Sequence, residues 1–310
     1  MIRRFFLLAV LALQACASTS SVPAPTASPT QTRVQTITLD APWRGTLPVT
    51  IVAPAKAEGP LPLILFSTGA LSSPDKYMAL LEPWALAGYG VVAPLHVDSE
   101  AWTGAKPEQP TDGLAWRLRD FTRLVEALPT LERQTGLSFN TAQVAATGHS
   151  FGGLIAQILG GAKPGSRAGN IGPLPALPIA AVVAVSPPGP IPDYIDASGW
   201  GQMQVPHLLT TGTGDVVQMI APKWQDHLAG HEAHPAASFA LVGEGVDHYF
   251  GNVIGRTEYP GPPQQAQFDE MVGTSRLFLD AFVGRDVTMM GLFMSRATRG
   301  PADRVGLNAK

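Results

Sequence analysis

Apolar and polar positions change period repeatedly along this chain, and each change marks an element. Residues 36–39 and 47–53 gather β-formers around a turn at 42–45 and predict an opening antiparallel hairpin. The continuous apolar run 61–67 predicts a strand covered on both faces. Ser72 or Ser73 then caps a helix with Pro74 at its first position, and Tyr77, Leu80, Leu81 and Trp84 keep helical spacing up to Gly88. A strand follows at 90–95. Leu114, Leu118, Phe121, Val125 and Leu128 recur in alternating steps of four and three, predicting a helix from Thr111 or Asp112 to Pro129. Strands are predicted at 144–147, 179–185, 207–211 and 238–242, with a helix at 153–159 and Gly/Pro-rich connections at 160–178 and 187–204. Phe268, Met271, Val272, Ser275, Leu279 and Phe282 outline a closing helix. Strands alternating with helices imply an α/β fold with a mostly parallel central sheet, helices on both faces and an N-terminal antiparallel hairpin. Ligands bind such sheets at the carboxyl ends of the strands.

The first residues follow a different logic. Arg3 and Arg4 precede an apolar stretch at 5–13 and then Leu13-Gln14-Ala15-Cys16, so residues 1–15 read as a secretory signal. The stretch is short of the roughly 20 residues a membrane span needs. Cys16 is the sole cysteine, so an exported chain has no partner for an internal disulfide. The segment before it resembles a bacterial lipobox, which makes Cys16 a lipidated first residue; plain cleavage to a soluble secreted protein is the alternative. Residues 16–32 form an uncharged Ser/Thr/Pro tether, and 33–310 suit one α/β domain. The expected location is a bacterial cell envelope, with the membrane touched only through the lipid. Loss of the two arginines takes the formal charge from −3 to −5, which gives no footprint for nucleic acid.

Gly148-His149-Ser150-Phe151-Gly152 is the single G-x-S-x-G of the chain and falls where a strand gives way to a helix. A serine on so sharp a turn has its Oγ pushed clear of the sheet, so Ser150 is the candidate nucleophile. At its own pKa serine is a poor nucleophile; it needs an imidazole to take the proton and a carboxylate to orient that imidazole. Asp215 and His248 follow it in the order Ser, acid, His, each just after a predicted strand. The other histidines fit less well. His149 adjoins Ser150 with its side chain directed away from the tip, His207 begins a strand, and His96 precedes the serine. His227, His231 and His234 lie in a polar stretch that reads as solvated. Asp193 and Asp196 are reserve acids, and Asp247 is too near His248 in sequence to face it. The backbone N–H groups of Phe151 and Ala70, with Gly69 turning the chain, are the expected oxyanion donors. No histidine or carboxylate cluster shows ligand spacing, so neither metal nor organic cofactor is expected.

With these residues in view the chain resembles the α/β-hydrolase fold family, and within it the branch holding platelet-activating-factor acetylhydrolases, chlorophyllases and cutinase-like polyester hydrolases. The resemblance lies in residues 47–54, 61–69, 86–94, 148–153 and 211–215 and spans most of 47–283. Many members carry His-Gly where this chain has Thr68-Gly69. The resemblance implies Ser150, His248 and Asp215 as nucleophile, base and acid, with Ala70 and Phe151 as oxyanion donors. It implies a small-molecule or lipid-like carboxylic ester as substrate. Serine at the elbow argues against dehalogenases and epoxide hydrolases, which use aspartate there, and against dienelactone hydrolases, which use cysteine. The same triad would serve thioester or amide hydrolysis or acyl transfer, and a non-catalytic envelope binding protein is the reading from another class. The segment 187–204, with Tyr194, Trp200 and Met203, is either a wall over the acyl pocket or a rigid surface loop.

Overall fold

A computed structural model describes residues 30–106, 112–166 and 174–310. Ten strands form one sheet in the order β1-β2-β4-β3-β5-β6-β7-β8-β10-β9. The opening hairpin pairs β1 (Thr32–Ala41) with β2 (Gly45–Pro54), longer than the β-former clusters alone suggest, and β2 joins β4 (Gly90–Pro94) antiparallel. From there β3 (Leu61–Ser67), β5 (Phe139–His149), β6 (Ile179–Val185), β7 (His207–Gly212) and β8 (Ser238–Gly243) run parallel. Their carboxyl ends therefore share one edge.

Both faces are covered, which is why the central strands read as unbroken apolar runs. Along β3 the side chains alternate: Leu63 and Leu65 join one core, Ile64 and Phe66 the other. The first core includes Leu118, Phe121, Leu131 and Leu154 from α2 (Asp112–Glu126), α3 (Leu128–Thr135) and α4 (Phe151–Leu159). The second takes Leu80 and Trp84 from the helix Met78–Leu86, here α1, together with side chains of the two last helices, Gln265–Phe282 and Val287–Arg296. Between them lie two short helices, α5 (Ala197–Trp200) and α6 (Ala229–Ala233), so the closing pair is α7 and α8. Phe239, Phe278, Phe282 and Phe293 meet edge to face or tilted with centroids 4.7–6.2 Å apart, tying α7 and α8 to β8.

Three local outcomes differ from the sequence reading. The helix read as running to Pro129 ends at Glu126, and Leu128 and Pro129 instead open α3, where the missing N–H of Pro129 costs nothing; Gly136 at φ +68° closes that helix in the left-handed region. Ser73 occupies the N-cap position before Pro74 without a side-chain cap, while Ser72 Oγ donates to the Gly255 carbonyl at 3.0 Å. Beyond α8 the chain returns to the sheet as β9 (Thr298–Arg299) and β10 (Gly306–Ala309), the latter antiparallel to β8. None of the described helices is long and apolar enough to cross a membrane, and the signal, Cys16 and most of the tether lie outside the described residues.

Candidate active site

At the end of β5 the chain turns so sharply that Ser150 adopts φ +54°, ψ −123°, a conformation costly for any residue but glycine. The turn is held by the Ser150 N–H, which donates to the Val185 carbonyl at 2.8 Å. The flanking glycines are required by contact. A Cβ on Gly148 would fall 2.2 Å from the Gly152 carbonyl oxygen, and one on Gly152 would fall 2.0 Å from that of Ser67. Elbow, α4 and β3 thus approach to backbone contact, leaving the serine hydroxyl at the edge of the sheet.

There the fold brings the three far-separated side chains together. Ser150 Oγ lies 2.9 Å from His248 Nε2, and His248 Nδ1 lies 2.7 Å from Asp215 Oδ1. Since a carboxylate only accepts, Nδ1 carries the proton and Nε2 offers its lone pair to the serine O–H. Thr211 Oγ1 donates to the other oxygen, Asp215 Oδ2, at 2.9 Å. Asp215 is fully buried. Burial alone would raise its pKa, but the close contact of His227, the hydrogen bond from His248 and the charges of both rings hold the carboxyl well below the usual range.

His149 points rearward from the elbow and joins three loops. Its Nε2–H donates to the His248 carbonyl at 2.8 Å, leaving Nδ1 to accept from the Tyr77 hydroxyl at 2.9 Å. That hydroxyl accepts in turn from the Gly69 N–H at 2.9 Å. Burial, followed by the nearby His248, pushes the His149 pKa down to about 3, so the ring stays neutral and its donor and acceptor ends stay distinct.

A buried arginine holds the loop after β3. Arg117 on α2 donates to the Thr68 carbonyl at 2.5 Å and the Gly69 carbonyl at 3.1 Å, and pairs with both oxygens of Asp98 at 2.9 and 2.6 Å. Asp98 Oδ2 also accepts the Leu71 N–H at 3.3 Å. With both neighbours fixed, Ala70 presents an N–H that has no hydrogen-bond partner among the described residues, and neither has the Phe151 N–H in the first turn of α4. Deeper in, Arg44 and His96 share Asp120: Arg44 Nη1 lies 2.8 Å and His96 Nδ1 2.9 Å from Oδ2, with His96 Nε2 3.0 Å from Ser67 Oγ.

Ser150 and His248 open into a cavity of about 280 Å³ whose walls include Ala70, Leu71, Ile220 and Tyr249. Its rim carries the Lys76–Glu258 ion pair at 2.8 Å and Arg256 stacked 4.5 Å over Tyr249. Leu71, Ile220 and Tyr259 around the opening are 55, 43 and 59 % exposed, so the collar mixes these apolar side chains with the charged ones. The segment 187–204 contributes no wall. Trp200 and Met203 turn into the core, and Trp200 Nε1 donates to Gln157 Oε1 at 2.8 Å.

The reserve acids have other roles: Asp196 caps α5 through the Ser198 and Gly199 N–H groups, Asp193 lies on an exposed loop, and Asp247 accepts from the Tyr249 and Gly251 N–H groups. The reading of His227, His231 and His234 as solvated is overturned, since all three are buried. His231 Nδ1 and His207 Nδ1 lie 2.9 and 3.1 Å from the Ser238 hydroxyl, while His227 reaches Asp215 itself, its Nε2 3.0 Å from Oδ1. Sequence reasoning missed His227 because polar neighbours surround it, and the packing of its short turn against the strand that leads to Asp215 leaves no signal in the sequence. Asp215, His227 and His248 accordingly place ligand-type atoms within 4.8 Å of one another, a grouping invisible in sequence spacing. The 2.7 Å contact between His248 and Asp215 and the serine on the far side of the ring suit a proton relay.

No protein-family model matches the chain, and no curated protein matches it. Solved structures do. A Klebsiella pneumoniae protein described as a dienelactone hydrolase superposes with a TM-score of 0.56 at 16% identity, over 78% of this chain and 98% of that one. One of two Rhizomucor miehei esterases gives 0.55 at 15%, over 82% and 85%, and a Pyrobaculum calidifontis esterase 0.51 at 15%, over 79% and 84%. At such identities the likeness speaks for architecture: the chain has the α/β-hydrolase fold, with its hairpin, parallel sheet and flanking helices.

Proposed function

We propose that this protein hydrolyses carboxylic esters through an acyl-enzyme on Ser150. The observation carrying the reading is the unbroken path Ser150 Oγ to His248 Nε2 at 2.9 Å and His248 Nδ1 to Asp215 Oδ1 at 2.7 Å, ending in a buried carboxylate. As Oγ bonds to the ester carbonyl carbon, His248 Nε2 takes the serine proton and the carbonyl oxygen becomes an oxyanion. The free N–H groups of Ala70 and Phe151 receive that charge, each worth roughly 3 to 4 kcal/mol in a water-poor site. Collapse expels the alcohol, which leaves with the proton from His248. Water then attacks the acyl-enzyme with His248 as base, and the acid departs as Oγ regains its proton. The esterases among the solved structures with this fold point to the same reaction class. A fluorophosphonate probe is expected to label the protein stoichiometrically at Ser150, with labelling and p-nitrophenyl ester hydrolysis both lost in Ser150→Ala. Esterase activity surviving that substitution sinks the reading.

The same reading places the enzyme at the cell envelope, supported by the signal-like 1–15, the sole cysteine at 16 and the tether behind it. Radiolabelled palmitate incorporated in a bacterial host is expected on the wild-type chain and absent from Cys16→Ser. Equal labelling of the two excludes the anchor.

A further inference from the structure

His227 has no part in the relay above, yet it is buried against it. It lies in the turn Trp224–Leu228, its ring 30° from parallel to that of His248 with centroids 5.7 Å apart. Both of its nitrogens face oxygens that only accept. Nδ1 is 2.5 Å from the Pro187 carbonyl, and Nε2 is 3.0 Å from Asp215 Oδ1, within ion-pair reach though off the axis of a straight hydrogen bond. A neutral imidazole has one N–H, so it would set a lone pair against one of these oxygens in a buried site.

We propose that His227 is a positioning residue that carries its own proton on the Asp215 carboxylate and thereby keeps His248 unprotonated, and competent as a base, at lower pH than Asp215 alone would permit. One carboxylate then serves two imidazoles, one already cationic. Protonating His248 as well puts two positive rings 5.7 Å apart, which disfavours the inactive form. The other groups around the pair do not supply this charge. His248 also faces His149, held neutral chiefly by burial, and Tyr249, while Ser150 and the Thr211 hydroxyl are uncharged. Burial pulls His227 toward the neutral state, but the close contact and charge of Asp215 and the Pro187 carbonyl outweigh it and raise its affinity for a proton.

The inference rests on the esterase reading for its kinetic part only, so two measurements test it. In His227→Gln, which keeps a donor and loses the charge, the acidic limb of kcat/KM is expected to move up by about one to two pH units, the Coulomb estimate for a charge at that distance with an effective dielectric near 20. Circular dichroism at each pH confirms the fold. On the wild-type protein, ¹⁵N-histidine spectra near pH 7 are expected to show His227 with protons on both ring nitrogens and His248 with one, assigned by the peaks that vanish in the variant. An unmoved acidic limb, or a single N–H on His227, overturns the proposal. The spectra need no substrate, so total loss of ester turnover would count against the esterase reading while leaving His227 decided.

Discussion

Lowering the pH should unfold this protein steeply, because the interior holds imidazoles that must stay neutral. The His149 pKa is pushed to about 3 by burial and the nearby His248, and that of His231 to about 4 by burial and the charges of Lys310 and His234. A histidine whose folded pKa is depressed contributes no penalty above its unfolded pKa near 6.5; as pH falls below that value the unfolded chain takes up protons the native state refuses. Each pH unit in that window costs about 1.4 kcal/mol per such group, so these two remove about 4 kcal/mol by pH 5. His96, His207 and His234 are lowered for the same leading reason, burial, and add in the same direction. His227 has the opposite sign and offsets part of the loss. Against a typical margin of about 5 to 15 kcal/mol this is a large fraction. Urea titrations followed by circular dichroism at pH 7, 6 and 5 are expected to show unfolding free energy falling by about 4 kcal/mol or more, and by about 2 kcal/mol less in His231→Gln relative to its own pH 7 value. A free energy constant to within about 1 kcal/mol between pH 7 and 5 would refute the account of these histidines as buried and neutral.

Two further outcomes follow from backbone positions near the serine. Arg117→Met removes both bonds that fix the Thr68 and Gly69 carbonyls and leaves Asp98 unpaired. Its kcat is expected to drop about 100-fold with KM nearly unchanged, as for loss of one oxyanion donor, and a change under threefold in a folded variant would dissociate Ala70 from the chemistry. Gly152→Ala drives a methyl group into the Ser67 carbonyl, where only backbone is available to move. Chemical denaturation should show a loss of about 3 kcal/mol or more, and a neutral effect would mean that the elbow does not pack this closely.

What was legible in the sequence follows from range. Apolar runs such as 61–67 and 179–185 declare strands covered on both faces because their neighbours are all in view, and the elbow declares itself through glycines that backbone contact demands. The order Ser150, Asp215, His248 after three apolar strand runs was enough to put all three on one side of the sheet, since β5, β7 and β8 run parallel and share a carboxyl edge. Burial of polar side chains is a tertiary property and left no local trace. Nothing around His227 or Arg117 in the chain shows that Asp215 and the Thr68 carbonyl await them. The four residues of β10 carry too little pattern to announce a strand; they become one by completing the edge of β8.

The ring at position 149 has a consequence for anyone who wishes to retune this protein. One hydroxyl and one imidazole splice the turn after β3, the elbow and the backbone of His248 into a single truss, so a change there reaches the Gly69 turn, Ser150 and His248 at once. Leu71, Ile220 and Tyr259 stand outside that truss on the collar. Selectivity is therefore separable from reactivity: libraries confined to those three positions vary what enters while the machinery beneath stays rigid.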